Sequence, residues 1–177
     1  MRKSAILAAC LALTPAVAPA HGPSRQKVVE TVTVNAPAAR VWDIIKDFCS
    51  ISTWHPGIAK CEGEGGNAAG AQRVLRLGAP DGPTIREELM QHDDAQMLYK
   101  YKITEVDVKV LPVSTYSATI AVRDNGDGGS TVEWKGGFYR GYPNNNPPPE
   151  LSDEAAVKAV TGVYTAGLAK IKELAEK

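Results

Sequence analysis

His55, in the triplet Trp54-His55-Pro56, and Glu87, between Ile85 and Leu89, are the side chains of this sequence best suited to moving a proton. An imidazole titrates near neutral pH. A carboxylate that alternates with apolar residues on a strand is desolvated, and its pKa rises. A general base also needs an activated partner within hydrogen-bond reach. Glu133 and His92 could serve only if their strand faces point inward, a phase the sequence leaves open. Each residue has a plainer reading. His55 would belong to a packed aromatic turn, and Glu87 would pair with one of Arg73, Arg76, Arg86 or Arg140. Pairing is the more usual fate of such a carboxylate. No HExxH, CxxC, P-loop or GxSxG motif occurs, so the chain carries no signature of the chemistries those motifs perform. We therefore expect no enzyme, no cofactor and no metal. Two mature cysteines and three histidines cannot build a structural zinc site. Asp127-Gly128-Gly129 is a turn rather than a calcium loop, since alternating acidic ligands are missing. His21 would chelate copper if it became the N-terminal residue, but Gly22-Pro23-Ser24 after it supplies no third ligand.

The remaining chemistry is that of binding. Tyr99, Tyr101, Tyr116 and Trp134 fall on predicted strands. Cavities for apolar ligands are lined by such residues, and so are ordinary cores. With Trp54, His55 and Glu87 they form the candidate ligand-binding set. The segment Tyr142 to Leu151, YPNNNPPPEL, is a candidate partner-binding loop. Its three consecutive prolines are stiff in advance, so ordering Pro147 and Pro148 on a partner loses little entropy. Tyr142, Asn144, Asn145 and Asn146 offer contacts and hydrogen bonds. The plain alternative is a rigid linker that repositions the last helix.

These residues need elements to hold them. Arg2 and Lys3, the apolar stretch Ser4 to Leu13, and Ala18-Pro19-Ala20 read as a cleaved signal peptide over residues 1–20. Leu7-Ala8-Ala9-Cys10 offers a rival lipoprotein reading, with anchoring at Cys10. Either way the protein is expected in the periplasm, with no membrane span. Residues 21–177 would be one domain. Loss of Arg2 and Lys3 from a chain with 20 basic and 20 acidic residues leaves a net charge of about −2. No basic block stands out in the sequence, so nucleic acid is not an expected partner. Cleavage leaves Cys49 and Cys61, an even pair in an oxidising compartment, which reads as one disulfide closing a loop around Trp54-His55-Pro56. Two buried free thiols are the alternative.

Lys27 to Val34 alternates like a strand, and Asn35-Ala36-Pro37 ends it, with Pro37 suited to the first helical position. Val41, Ile44, Ile45 and Phe48 then fall on one helical face, and a short helix is predicted over Ile51 to Trp54. Six strands follow: Lys60–Gly65, Gln72–Leu77, Thr84–His92, Met97–Thr104, Val113–Arg123 and Thr131–Arg140. Short turn-rich links between them predict an antiparallel meander. Ser152 is a helix N-cap, and the last helix runs to about Ala175. Its apolar stripe is Ala156, Val160, Val163, Gly167, Ile171 and Leu174, with Val157, Tyr164 and Leu168 beside it. Gly162 and Gly167 either pack closely on the sheet or leave room for a ligand. The expected fold class is α+β. A seven-stranded curved antiparallel sheet wraps a long C-terminal helix, a helix-grip arrangement with a hollow between them.

The order of elements, with VNAPAARVWDIIKDF and WHP near the start, resembles the SRPBCC superfamily. That superfamily includes START lipid-transfer domains, birch-pollen-allergen-like proteins and polyketide cyclases. GPTIREEL, LYKYKI and VEWKGGFYRGYPNNNPPPELSDEAAVKAVTGVY, with the export signal, resemble MxaD-type periplasmic proteins. That resemblance implies an accessory role in methanol oxidation, promoting contact or electron transfer between methanol dehydrogenase and its cytochrome c. The superfamily resemblance implies two further readings: a carrier for a small hydrophobic ligand, and a polyketide-cyclase-like enzyme. Fold does not choose among them.

Overall fold

The computed structural model describes residues 22–177; the expected signal peptide, Cys10 and His21 lie outside them. The chain runs β1 (Gln26–Val34), α1 (Ala38–Ile45), a single 3₁₀ turn (Phe48–Ser50), α2 (Ile51–Trp54), then β2 (Ile58–Glu64), β3 (Gln72–Leu77), β4 (Thr84–Asp93), β5 (Leu98–Val106), β6 (Val113–Asp124) and β7 (Ser130–Arg140). A second 3₁₀ turn (Pro149–Leu151) leads into α3 (Asp153–Ala175). The strands form one antiparallel sheet in the order β1-β7-β6-β5-β4-β3-β2. Only β1 and β7 meet out of chain order. This is the helix-grip architecture the sequence predicts.

Strict alternation explains the two layers. In β7 every second residue from Ser130 to Arg140 is buried, and in β6 Tyr116, Ala118, Ile120 and Val122 face inward. The inward face is covered by α3, which buries Ala156, Val160, Tyr164, Gly167, Leu168, Ile171 and Ala175. The stripe is rotated relative to the sequence reading. Tyr164 and Ala175 are buried, while Val163 and Leu174 lie half-buried at its margin, because Tyr164 stacks on Trp134 at 4.5 Å between ring centroids. Each large aliphatic side chain sealed this way contributes roughly 1.5–3 kcal/mol. Ser152 caps α3, its hydroxyl accepting from the Ala155 amide at 3.1 Å. Pro37 is the N-cap of α1 rather than its first helical residue. Its extended ψ turns its carbonyl to accept from Arg40 and Val41.

Curvature comes from bulges, which bend a strand where one extra residue interrupts pairing. The register slips at Thr104 in β5, at Met90 in β4, and between Ser114 and Ser117 in β6. Thr115, at the β6 slip, takes a φ of 49°, an uncommon conformation for a β-branched residue. The extra residue keeps Val113 and Tyr116 on the same, inner side. Beyond Lys102 and Ser117, β5 and β6 no longer pair. The sheet is therefore split at that end, beneath the link Asp107–Pro112.

Candidate functional site

Cys49 and Cys61 are bonded, with Cα atoms 5.6 Å apart. The bond ties the turn before α2 to the start of the β2 ladder, so the loop holding Trp54-His55-Pro56 is closed at both ends. His55 is buried. The Gly57 amide donates to its Nδ1 at 3.1 Å, and its Nε2 lies 3.0 Å from the carbonyl of Val163 in α3. An amide donor at Nδ1 places the proton on Nε2, which donates to that carbonyl. Burial pushes the imidazole pKa below its usual value, against the opposing effect of the hydrogen bond to the Val163 carbonyl. Both ring nitrogens are thus occupied, and the ring pins α2 to α3. Gly167 makes the pin possible. A Cβ there would lie 2.7 Å from His55 Cδ2 and 2.7 Å from Trp134 Cζ3. Close packing is therefore its role. Gly162 faces open space.

Arg73 on β3 and Glu87 on β4 are cross-strand partners, and both point inward. Arg73 Nε donates to Glu87 Oε2 at 2.6 Å, its Nη1 donates to the Phe48 carbonyl, and its guanidinium lies 3.9 Å over the Phe48 ring. Nη2 stands 2.6 Å from the same Oε2 as an ion-pair contact and has no hydrogen bond of its own. Burial is the larger influence on Glu87 and leaves its pKa raised, while Arg73 pulls it back down. Burial also works against the Arg73 charge, but Glu87, Tyr99 and Tyr101 outweigh it. The guanidinium stays charged, and its short contacts to Oε2 hold Glu87 as a carboxylate. Glu87 therefore pairs with an arginine, and that arginine is Arg73.

Three tyrosines complete the interior. Trp134 Nε1 donates to the Tyr101 hydroxyl at 3.0 Å, the Tyr101 and Tyr116 hydroxyls are 3.4 Å apart, and those of Tyr116 and Tyr164 share a hydrogen bond of 2.5 Å. Gly136 leaves the space into which the Tyr164 hydroxyl reaches. Burial raises the pKa of all three phenols well above the usual value, and that of Tyr99 to about 12. They are neutral hydrogen-bonding groups at any physiological pH.

Between α2, α3 and the inner face of β3–β6 lies a cavity of about 170 Å³. Its apolar wall includes Ile51, Ile58, Leu75, Ile85, Ile103 and Leu111; its polar groups belong to His55, Glu87, Tyr101 and Tyr116, with Trp134 beside them. Ile103 and Tyr116 also border the split between β5 and β6, so the split adjoins the cavity. The candidate ligand-binding residues thus divide. His55, Glu87, Tyr101, Tyr116 and Trp134 line the cavity. Trp54 packs edge-on to Trp134 at 5.7 Å, Tyr99 lies against Trp42 and Phe48, and neither borders it. The sequence reading did not single out Val110 and Leu111, which cover the cavity from the β5–β6 link. Their signal was the apolar pair Val110-Leu111 just before the expected strand, where no element was predicted.

The Asn-Pro loop sits apart from the cavity. Arg140 is buried beneath it: Nε donates to the Tyr142 carbonyl at 3.0 Å, Nη2 to the Asn144 carbonyl at 2.9 Å, and Nη1 to Asp153 at 3.0 Å. Asn144, Asn145 and Asn146 are exposed, and Pro147 and Pro148 half-buried. Among the described residues, no cluster of three or more His, Cys, Asp or Glu side chains could hold a metal, and no helix is long and apolar enough to cross a membrane.

Residues 25–176 match the family model described as polyketide cyclase / dehydrase and lipid transport. No curated protein matches the chain. Among solved structures, the protein XoxI from Bacillus cereus is 30% identical with a TM-score of 0.70, covering 84% of this chain and 94% of that one. An uncharacterised protein from Bacillus thuringiensis is also 30% identical with a TM-score of 0.70, covering 84% and 98%. Norcoclaurine synthase from Thalictrum flavum, solved with dopamine and hydroxybenzaldehyde, is 19% identical with a TM-score of 0.65, covering 86% and 87%. That last likeness is one of fold alone.

Proposed function

The chain belongs to the polyketide cyclase / dehydrase and lipid transport family, and from that premise we propose that it binds a small, largely apolar molecule between the sheet and α3. The observation that carries this reading is the cavity of about 170 Å³, apolar except for a convergent set of polar groups. An apolar cavity of roughly 150 Å³ admits a benzene-sized molecule. The ligand is therefore about one substituted ring in size, well below the roughly 300–1,000 Å³ of drug-sized sites. An ionised Glu87 accepts hydrogen bonds and Tyr101 and Tyr116 can donate them, so a ring bearing a hydroxyl fits better than a bare hydrocarbon. The protein acts as a carrier or sensor rather than an enzyme. Supporting this, His55 has no free ring nitrogen, and Glu87 is engaged by Arg73. Titration calorimetry with p-cresol and toluene tests the reading. p-Cresol should bind more tightly, and a Leu111→Trp variant, which fills the cavity, should bind neither. Equal and unaltered binding by the variant would reject the cavity as the site.

A second reading concerns partners: an exported accessory protein of methanol oxidation that contacts methanol dehydrogenase or its cytochrome c. It is favoured by the Asn-Pro loop, whose backbone Arg140 holds in place while three asparagine side chains face solvent. Deleting Asn144–Pro149 should then abolish co-purification with the dehydrogenase. Unchanged electron transfer between dehydrogenase and cytochrome, with and without the protein, would dismiss it.

A further inference from the structure

The outer face of the sheet carries a second feature, separated from the cavity by the sheet itself. Register places Val29, Lys135, Thr119 and Lys100 in one cross-strand row over β1, β7, β6 and β5. The adjoining row is Lys27, Gly137, Ser117 and Lys102. Gly137 has no side chain, and the guanidinium of Arg25 lies across it, its Nη2 within 2.7 Å of where a Cβ would stand. The result is an open groove of about 340 Å³ bordered by Arg25, Lys27, Lys100 and Lys135, with Ser117 and Thr119 on its floor.

The charges of this groove are unlike those of the rest of the face. Towards β2, β3 and β4 the cations are matched: Lys60 and Arg76 to Glu62, Arg86 to Glu105, Lys102 to Glu88. In the groove only Lys135 has a carboxylate, Glu133 at 3.0 Å. Arg25, Lys27 and Lys100 have none within ion-pairing distance among the described residues. A near-neutral chain thus gathers four cations against one anion in a single recess. Their spacing identifies what would fill it. Lys135 and Lys100 stand two strands apart, roughly 10 Å, and Lys27 lies one strand and two residues from Lys135, roughly 8 Å. Spaced this way along the backbone and extended outward, the three side chains are too far apart for one small anion to span. Same-side residues of an extended chain recur about every 7 Å, so a segment with carboxylates on alternate residues can. Val29, 42% exposed beside Lys135, offers that segment an apolar contact. The groove has no aromatic side chain to stack on bases or enter a lipid interface.

We propose that this groove is a docking site for an extended acidic segment of a partner protein. A fluorescein-labelled peptide alternating glutamate and serine provides the probe, with anisotropy read at about 0.01 M and 0.15 M salt, where the screening length falls from about 30 to 8 Å. The full-length protein should bind it at low salt and weaken steeply as salt rises. Lys27→Glu with Lys100→Glu should lower affinity about tenfold or more, since charge patterns at interfaces govern attraction and exclusion. Reversal of Lys158 and Lys109, which lie elsewhere, should change little. If the double reversal unfolds, the pair Lys27→Gln and Lys100→Gln decides. Undiminished binding by the groove variants, or equal loss in the control, overturns the proposal. So does binding of inorganic phosphate or of phosphatidylserine vesicles without binding of the peptide.

Discussion

Replacing each of the two α3 glycines by alanine should move stability in opposite directions. A new methyl at Gly162 meets nothing within 4 Å. There alanine brings only the helix-propensity gain and lower unfolded-state entropy, about 0.5–1 kcal/mol. A methyl at Gly167 meets His55 and Trp134 ring carbons at 2.7 Å and a Trp54 ring carbon at 3.2 Å. These rings are buried and wedged against one another, with Trp54 and Trp134 centroids 5.7 Å apart and His55 and Trp134 6.1 Å apart. Relief would need the His55 ring to leave the Val163 carbonyl. Overpacking of this kind costs about 1–3 kcal/mol. At about 2–3 kcal/mol, towards its upper end, and after the same propensity gain, a net loss of about 1–2.5 kcal/mol remains. The two variants should thus differ by about 2–3 kcal/mol, or about 4–12 °C in melting temperature for a chain this size. Urea denaturation measures the difference directly, and an unchanged m-value would show that both compare the same transition. A Gly167→Ala variant as stable as Gly162→Ala would refute the claim that Gly167 seats the His55 pin.

Glu87→Gln leaves the Arg73 guanidinium buried without a counter-charge and should cost about 3–5 kcal/mol, whereas Arg73→Met with Glu87→Leu should recover most of that loss; equal urea midpoints for the single and double variants would contradict the pair. His55 has a folded-state pKa below its unfolded value, so the unfolded chain takes up the proton first as pH falls. The stability from its neutral ring is complete above about pH 6.5 and is lost as pH falls towards the folded pKa; His55→Asn should flatten that dependence in unfolding curves at mildly acidic pH. Reducing Cys49–Cys61, which closes a 12-residue separation, should cost about 2–3 kcal/mol; an unchanged melting point in reductant would mean the loop is held by packing alone.

The sheet and its helix were legible because alternation of period two and turn residues are local signals. Tyr116, Ala118, Ile120 and Val122 could be put on one face without knowing any partner. What lay beyond reach was the position along a curved sheet. Tyr99 and Tyr101 share a strand face, yet Tyr101 borders the cavity while Tyr99 sits against Trp42 under α1. The β4 bulge at Met90 falls opposite the step between them, and no residue type announces a bulge. Pairing of Glu87 with an arginine was readable, but choosing Arg73 required the β3–β4 register. The partner of His55 is a helix carbonyl 108 residues away, which no pattern of side chains encodes. The outer-face groove was hidden for the same reason: its cations come from separate strands, so no charge block appears in the sequence.

The central claim is that the cavity holds a small apolar molecule with a hydrogen-bonding group. Native mass spectrometry of the protein purified from its own host tests it most directly. A single adduct of about the mass of a substituted ring, released on gentle activation and missing from Leu111→Trp, is the predicted result. An empty protein across several preparations, or an adduct that persists in the cavity-filled variant, would contradict it.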